Sequence, residues 1–481
     1  VFGGLSPEEK DQAEAGRAGH GKNRSRATKS ARECRYGCSV KFRAADIANI
    51  VGGTLVGSDV DVDGAAIDSR VIQSGQLFVP VRGERDGHDF IENAKNLGAA
   101  ATLSSLGATD GIPTIVVDDA EAAFARLGAA ARLRLPDRLA GVTGSVGKTS
   151  TKDLAVAILA RRYVVTANEK SFNNELGVPL TLVNASADTE VSIIEMGARG
   201  DGHISDLCSI ARPTVAIVTA IELAHSEFMG GLADIARAKG ELVEALPTDG
   251  LAILNADDER VAAMASRTSA RALLFGIERG DVRASNIRLD EELRAHFDLQ
   301  SDRGSAPVVL AVRGRHHVVN ALAAATLAIA WGVPLDDIVG GLAEAQLSPW
   351  RMELHVAPSG VRVLNDAYNA GPASMEAALR ALAHLPASEH VAVLGPMAEL
   401  GNEGPQAHVQ VAALARELGI KVIAIGTSEY GSLPVASVDS IDDAIAQLNE
   451  LGVLNARGAV LVKGSRIAGL ERVAQRLLER T

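Results

Sequence analysis

One short stretch constrains this chain more than any other. It is Leu139-Ala-Gly-Val-Thr-Gly-Ser-Val-Gly-Lys-Thr-Ser150, an apolar run leading into glycines, a lysine and two hydroxyl residues ahead of a helical pattern. That order demands a strand, a tight loop and a helix start in succession. Glycines let backbone N–H groups close around a phosphate chain, and the helix start adds the positive end of its dipole. Lys148 is placed to reach terminal phosphates, and the Thr149 hydroxyl to hold magnesium. A general P-loop has glycine five places before the Gly-Lys pair, where this chain has Val142, and Gly141 stands one position too early. The match is to the shorter Gly144-x-x-Gly147-Lys148-Thr149, with Ser145, Val146 and Ser150 completing the phosphate cradle. A nucleoside triphosphate is the expected ligand.

At 481 residues the chain is too long for one core. The expected class is α/β with three domains: an N-terminal α/β unit over 41–136, a central P-loop parallel sheet over 137–347 and a Rossmann-like unit over 348–481. Residues 1–40 are rich in Gly, Ser, Lys and Arg and nearly lack aliphatic periodicity, so a disordered tail or start-site extension is expected there. In the first unit a helix is predicted over 44–50 and strands over 53–56, 64–67 and 77–81. The middle region is predicted to alternate strands (191–194, 214–218, 251–254) with helices, in a largely parallel sheet. The last unit carries strands at 361–364, 391–394, 421–425 and 459–462, with a helix over 372–384. Without Gly-x-Gly-x-x-Gly, this last unit is assigned no dinucleotide.

Net charge is −12, which argues against a nucleic-acid surface over most of the chain. Val318–Leu335 is the longest apolar stretch but contains Asn320, Thr326, Gly332 and Pro334, so it reads as a buried helix and no membrane span is expected. The N-terminus shows no apolar signal core, and three cysteines make no disulfide framework, so a cytoplasmic setting is expected. Cys34 and Cys38 have no second pair to complete a metal site.

Hard oxygen donors are needed beside a magnesium triphosphate. Glu195 closes a β-branched strand and is a fitting carboxylate, while His225 and Asn255 follow the next two strands. In open parallel sheets ligands collect outside those carboxyl ends. On residue type alone, His225 reads as a loop residue, Lys239 as a surface helix lysine and Asn320 as a helix start.

Taken together, the ordered strings change that reading. The P-loop variant, Ser171-Phe-Asn-Asn-Glu-Leu-Gly-Val-Pro179, Glu195-Met-Gly197, Ala224-His225, Ala238-Lys-Gly-Glu241, Asn255-Ala-Asp257 and His316…Asn320…Ala324 occur in one order. This series resembles the Mur ligase superfamily, ATP-dependent amide-forming enzymes of peptidoglycan precursor synthesis. Asp366-Ala-Tyr-Asn-Ala370 with Pro372, Leu394-Gly395…Met397-Ala-Glu-Leu-Gly401 and Val462-Lys-Gly-Ser-Arg466 resemble the branch that adds D-alanyl-D-alanine to UDP-N-acetylmuramoyl-tripeptide. The likeness spans roughly 42–481. Gly371 stands where the family usually has asparagine and Pro396 where it usually has aspartate.

The resemblance implies ATP and two magnesium ions, with Lys148, Glu195, His225 and Lys239 as catalytic positions. Thr149 and Glu195 would hold one ion, and His225 with a carbamylated Lys239 the second. It implies further ATP contacts from Asn255, Asn320, Arg351 and Asp366. Ser69, Arg70 and His88 would face the uridine diphosphate, Asn173 and Asn174 the sugar-peptide, and Tyr368 and Asn369 the dipeptide. A monomer is expected. The rival expectations are a sister ligase adding a single amino acid or glutamate, or a P-loop nucleotide switch.

Overall fold

A computed structural model describes residues 40–169, 172–223, 229–455 and 457–479. The expected tail therefore lies outside the described residues, apart from Val40, and so does His225. Three sheets follow one another along the chain. The first has five strands in the order 54–56, 114–116, 101–104, 77–78, 65–66, parallel except for the pair at its 54–56 edge. Ahead of it the helix Ala44–Val51 buries Ala44, Ile47, Ala48 and Val51, a helical-period stripe, and stops at Gly52 with φ 68°.

The second sheet has nine strands in the order 304–313, 294–301, 282–289, 271–276, 251–255, 215–218, 139–143, 191–195, 165–167. Leu139–Thr143 and Val191–Glu195 are buried at every position, as apolar strands covered on both faces must be. The strand Leu139–Thr143 pairs in parallel with 191–195 on one side and 215–218 on the other. Chain order reverses around it, and in such sheets that is where ligands settle.

Two expectations for this region change. Strands 282–289, 294–301 and 304–313 form an antiparallel edge instead of further βα units. Burial there alternates with period two (Ala295, Phe297 and Leu299 inside), so one face is covered while the other is wetter. The helix expected over 318–335 is His317–Ala330, followed by a separate helix Leu335–Glu344. Gly332 (φ 81°) and Pro334 break it, since the proline ring cannot continue the ladder.

The third sheet has six strands in the order 353–356, 362–365, 459–463, 390–394, 421–425, 436–438, all parallel but the first. The helix Pro372–His384 buries Met375, Ala378, Leu379 and Leu382, the stripe read from its spacing. No helix among the described residues is long and apolar enough to cross a membrane.

Candidate active site

The phosphate loop is held from outside by the 219–222 segment. Thr219 Oγ1 donates to the Val146 carbonyl at 2.5 Å and lies 3.2 Å from that of Thr143. Ser145 N–H donates to the Ala220 carbonyl (2.8 Å), and the Ser145 hydroxyl exchanges bonds with the Glu222 backbone. Both glycines are forced by this packing. A Cβ on Gly144 (φ 147°) would overlap Thr219 Oγ1, and one on Gly147 (φ 84°) would overlap Asn320 Oδ1. The helix Lys148–Leu159 starts there and presents its first-turn N–H groups and dipole to the loop.

Lys148 is folded back, its Nζ donating to the Gly144 carbonyl at 2.8 Å. Burial lowers its pKa, the Glu195 charge opposes that shift, and Arg351 adds to it. Glu195 ends the neighbouring strand and is buried. Its Oε1 accepts from Asn173 Nδ2 at 2.6 Å, whereas Oε2 is buried with no hydrogen-bond partner among the described residues. Asn168 seats the backbone behind it, with Oδ1 accepting from Glu195 N–H (2.6 Å) and its own carbonyl accepting from Lys152 Nζ (2.7 Å).

A buried carboxylate oxygen without a donor is an uncommon cost in a folded protein, and a hard cation satisfies it. The described residues contain no cluster of three or more His, Cys, Asp or Glu side chains fit to cage a metal. Magnesium seldom uses such a cage, binding through one or two carboxylates plus substrate phosphates, so the donor set fits. Lys239, on the helix Leu232–Glu244, is buried. Burial, and then the charge of Lys148, holds its ammonium well below the ordinary lysine range and favours the neutral amine.

The third domain reaches this corner through Ser348–Met352. Ser348 N–H donates to Asp153 Oδ2 on the phosphate-loop helix (2.7 Å), and Arg351 donates to Thr149 Oγ1 at 2.9 Å. Arg351 also lies over the Tyr368 ring, 4.1 Å from its centroid. Trp350 and Met352 flank it at φ 62° and 53°, a left-handed backbone that non-glycine residues rarely adopt. Asp366 Oδ1 accepts from Met352 N–H, and Asp366 Oδ2 pairs with the buried Lys463 at 2.5 Å. Lys463 also donates to the Asn369 carbonyl (2.8 Å). Beside them, His316 is pushed down to about 4 by burial, with Asp366 opposing and Lys463 assisting. His317 shares a 3.1 Å bond between Nδ1 and Asn320 Nδ2, and its Nε2 is buried without a partner among the described residues.

Gly144–Thr149, Glu195, Asn173, Asn320, Arg351, Tyr368 and Asp366 thus belong to one connected corner, with Ser150 buried one position along the helix. Asn255 ends the 251–255 strand, but its amide is used inside the protein, donating to Thr219 O and accepting from Asp257 N–H. Asn174 accepts from Gly177 N–H at the start of helix Gly177–Val183. Ser69, Arg70 and His88 form a separate group on the first sheet. Ser69 accepts from Asn93, and Arg70 pairs with Asp68 at the surface. Both His88 nitrogens are taken, by Asp86 and by Ser105 N–H. Residue-type reasoning did not single out Asn168, Thr219, Lys463 or His317. Lys463 and His317 lay in strings already marked, whereas Asn168 and Thr219 carry no local signal.

The family model described as the Mur ligase middle domain matches residues 142–328, the Mur ligase glutamate ligase domain matches 350–466, and the Mur ligase family catalytic domain matches 61–142. The chain is similar to the UDP-N-acetylmuramoyl-tripeptide–D-alanyl-D-alanine ligase of Escherichia coli K12, 37% identical over 449 residues, covering 92% of this chain and 99% of that one. Among solved structures, MurF from Acinetobacter baumannii aligns with TM-score 0.85 at 30% identity, covering 92% of this chain and all of that one. The MurF ligase of Thermotoga maritima in complex with ADP aligns at 0.77 and 26% identity, covering 86% and 97%. With a short glycine loop, a carboxylate at the adjoining strand end and this chain-long likeness in agreement, the protein belongs to the Mur ligase family.

Proposed function

We propose that this chain joins D-alanyl-D-alanine to UDP-N-acetylmuramoyl-tripeptide at the cost of ATP, yielding the UDP-N-acetylmuramoyl-pentapeptide precursor of peptidoglycan with ADP and phosphate. The observation that carries it is the corner where Lys148, the unpartnered Glu195 oxygen and Thr149 meet, in a chain that matches the E. coli ligase almost end to end. The tripeptide carboxylate attacks the γ-phosphate to form an acyl phosphate. The dipeptide amine then attacks that carbonyl, and the tetrahedral adduct expels phosphate to leave an amide.

Both reactants of the first step are anions, so positive charge and preorganised N–H donors must meet them. Lys148 swings from the Gly144 carbonyl to the phosphates, and the loop amides orient them. Thr149 and Glu195 would hold one magnesium ion, and His225 with a carbamylated Lys239 the second. Magnesium, when bound, shields the phosphate charge. A depressed lysine pKa supports the carbamate, because carbon dioxide reacts only with the neutral amine.

In this reading residues 41–136 bind the nucleotide-sugar, with Ser69, Arg70 and His88 nearby. Residues 137–347 bind ATP, with Asn255 and Asn320 toward the base. Residues 348–481 close Arg351 and Asp366 over ATP and bring Tyr368 and Asn369 to the dipeptide. Closure excludes water from the acyl phosphate. A cytoplasmic monomer completes the proposal. The test is mass spectrometry of products from ATP, the tripeptide precursor and the dipeptide, with single amino acids as competing acceptors. The pentapeptide product is expected, and a single-residue addition or acceptor-independent phosphate release would overturn the reading.

A further inference from the structure

In the third domain, away from the phosphate loop, one buried histidine braces the loop that follows a sheet strand. Strand His390–Leu394 ends in the loop Gly395-Pro-Met-Ala-Glu-Leu400, where Glu399 adopts φ 65°. His408, on helix Gly404–Glu417, is fully buried beneath it. Its Nε2 accepts the Met397 N–H at 2.8 Å, so the proton sits on Nδ1. That side lies 2.7 Å from the Gly404 carbonyl and 2.8 Å from Glu429 Oε2. Tyr430 packs edge-on against the ring and donates its hydroxyl to the Gly395 carbonyl (2.7 Å). Ser465 takes the remainder: its N–H donates to the Pro396 carbonyl and its Oγ accepts from Ala398 N–H. The loop is thus tied at four successive residues. Ser465 stands two residues from Lys463, which holds Asp366 and the Asn369 carbonyl on either side of Tyr368 in the chain.

We propose that His408 is a positioning residue for the acceptor amine: by holding the Met397 amide it sets the 395–400 loop that walls the dipeptide side of the cleft. This rests on the function proposed above, in which phosphates occupy the middle domain and the acceptor meets the third. Without the imidazole, Met397 N–H would be buried and unpaired, and the loop would have to move to hydrate it.

The test uses the full chain and compares H408L, which removes the acceptor atom, with H408Q, whose amide oxygen can replace Nε2. KM is measured for ATP and for whichever acceptor, dipeptide or single amino acid, the parent protein prefers. H408L is expected to raise the acceptor KM about tenfold and leave the ATP KM within about twofold, with H408Q close to the parent. Hydrogen exchange at Met397 is expected to speed up in H408L and recover in H408Q. If H408L does not fold, Y430F loosens the same loop at Gly395 and is expected to raise the acceptor KM about threefold. An unchanged acceptor KM, or equal changes in both KM values, overturns the positioning role. A parent preference for another acceptor overturns the function and leaves the His408 comparison measurable.

Discussion

In the phosphate corner, the backbone is fully braced while the chemical groups are left incompletely matched. Thr219, Ser145 and Asn168 lock the loop and strand end, yet Glu195 Oε2 has no donor among the described residues and burial, then the charge of Lys148, disfavours the charged form of Lys239. On the third-domain crest the opposite holds. Asp366, Lys463, His408 and Ser465 satisfy one another or nearby backbone, while the linker feeding the crest carries left-handed Trp350 and Met352. The first region is a braced receptacle whose polar groups are not fully matched among the described residues. The second is a satisfied block on a strained connection, suited to move as a unit.

The largest expected effect tests the receptacle itself. Lys148→Ala should reduce ADP formation by at least about a thousandfold, because the charge that meets the γ-phosphate is gone. Near-normal turnover in that variant would remove the contrast between the regions. Lys239→Ala should lose about a hundredfold, with part returning on addition of short carboxylates. Full activity without them would exclude the carbamate. Thr219→Val removes only a brace, so kcat/KM for ATP should drop about tenfold while the dipeptide KM holds. Equal losses for both substrates would mean that the two regions are not separately built.

A pH experiment probes the seam where they meet. Burial, then Asp258 and Glu376 of the 372–384 helix, pushes Glu222 up to about 7 from its ordinary 4.5. The unfolded chain ionises at the ordinary value, so the folded state binds more protons between the two values. Stability from this group is therefore present below about 4.5 and is lost as pH rises through about 7. Glu222→Gln should flatten that fall, gaining about 1–3 kcal/mol at pH 8 in urea unfolding and nothing at pH 4.5. Parallel curves for parent and variant would contradict it. Smallest of all, Arg70→Ala breaks only the exposed pair with Asp68 and should leave the melting midpoint unchanged while raising KM for the nucleotide-sugar substrate.

Much of the scaffold was legible in one dimension. The 372–384 helix came from an apolar stripe, and the phosphate loop from glycines between a strand and a lysine. The 282–313 hairpins were missed because the strand–helix alternation expected over 137–347 was carried across them, while their burial has the two-residue period of an antiparallel edge. His225 lies outside the described residues. Asn255, Asn174 and His88 show another limit: a polar residue at a strand end or in a motif looks the same whether it faces a ligand or ties down its own loop. In this structure Thr219, Gly177 and Ser105 partner them, and no neighbouring residue in the sequence announces those pairings.

Sequence alone determined the fold class, the family and the phosphate loop, since hydrophobic period and the steric need for glycine are written in neighbouring residues. Only tertiary structure left one Glu195 oxygen unmatched, drove the Lys239 amine toward neutrality and put His408 under a loop eleven positions before it. Burial and long-range hydrogen bonding depend on which distant strands come together, and that is a property of the packed chain.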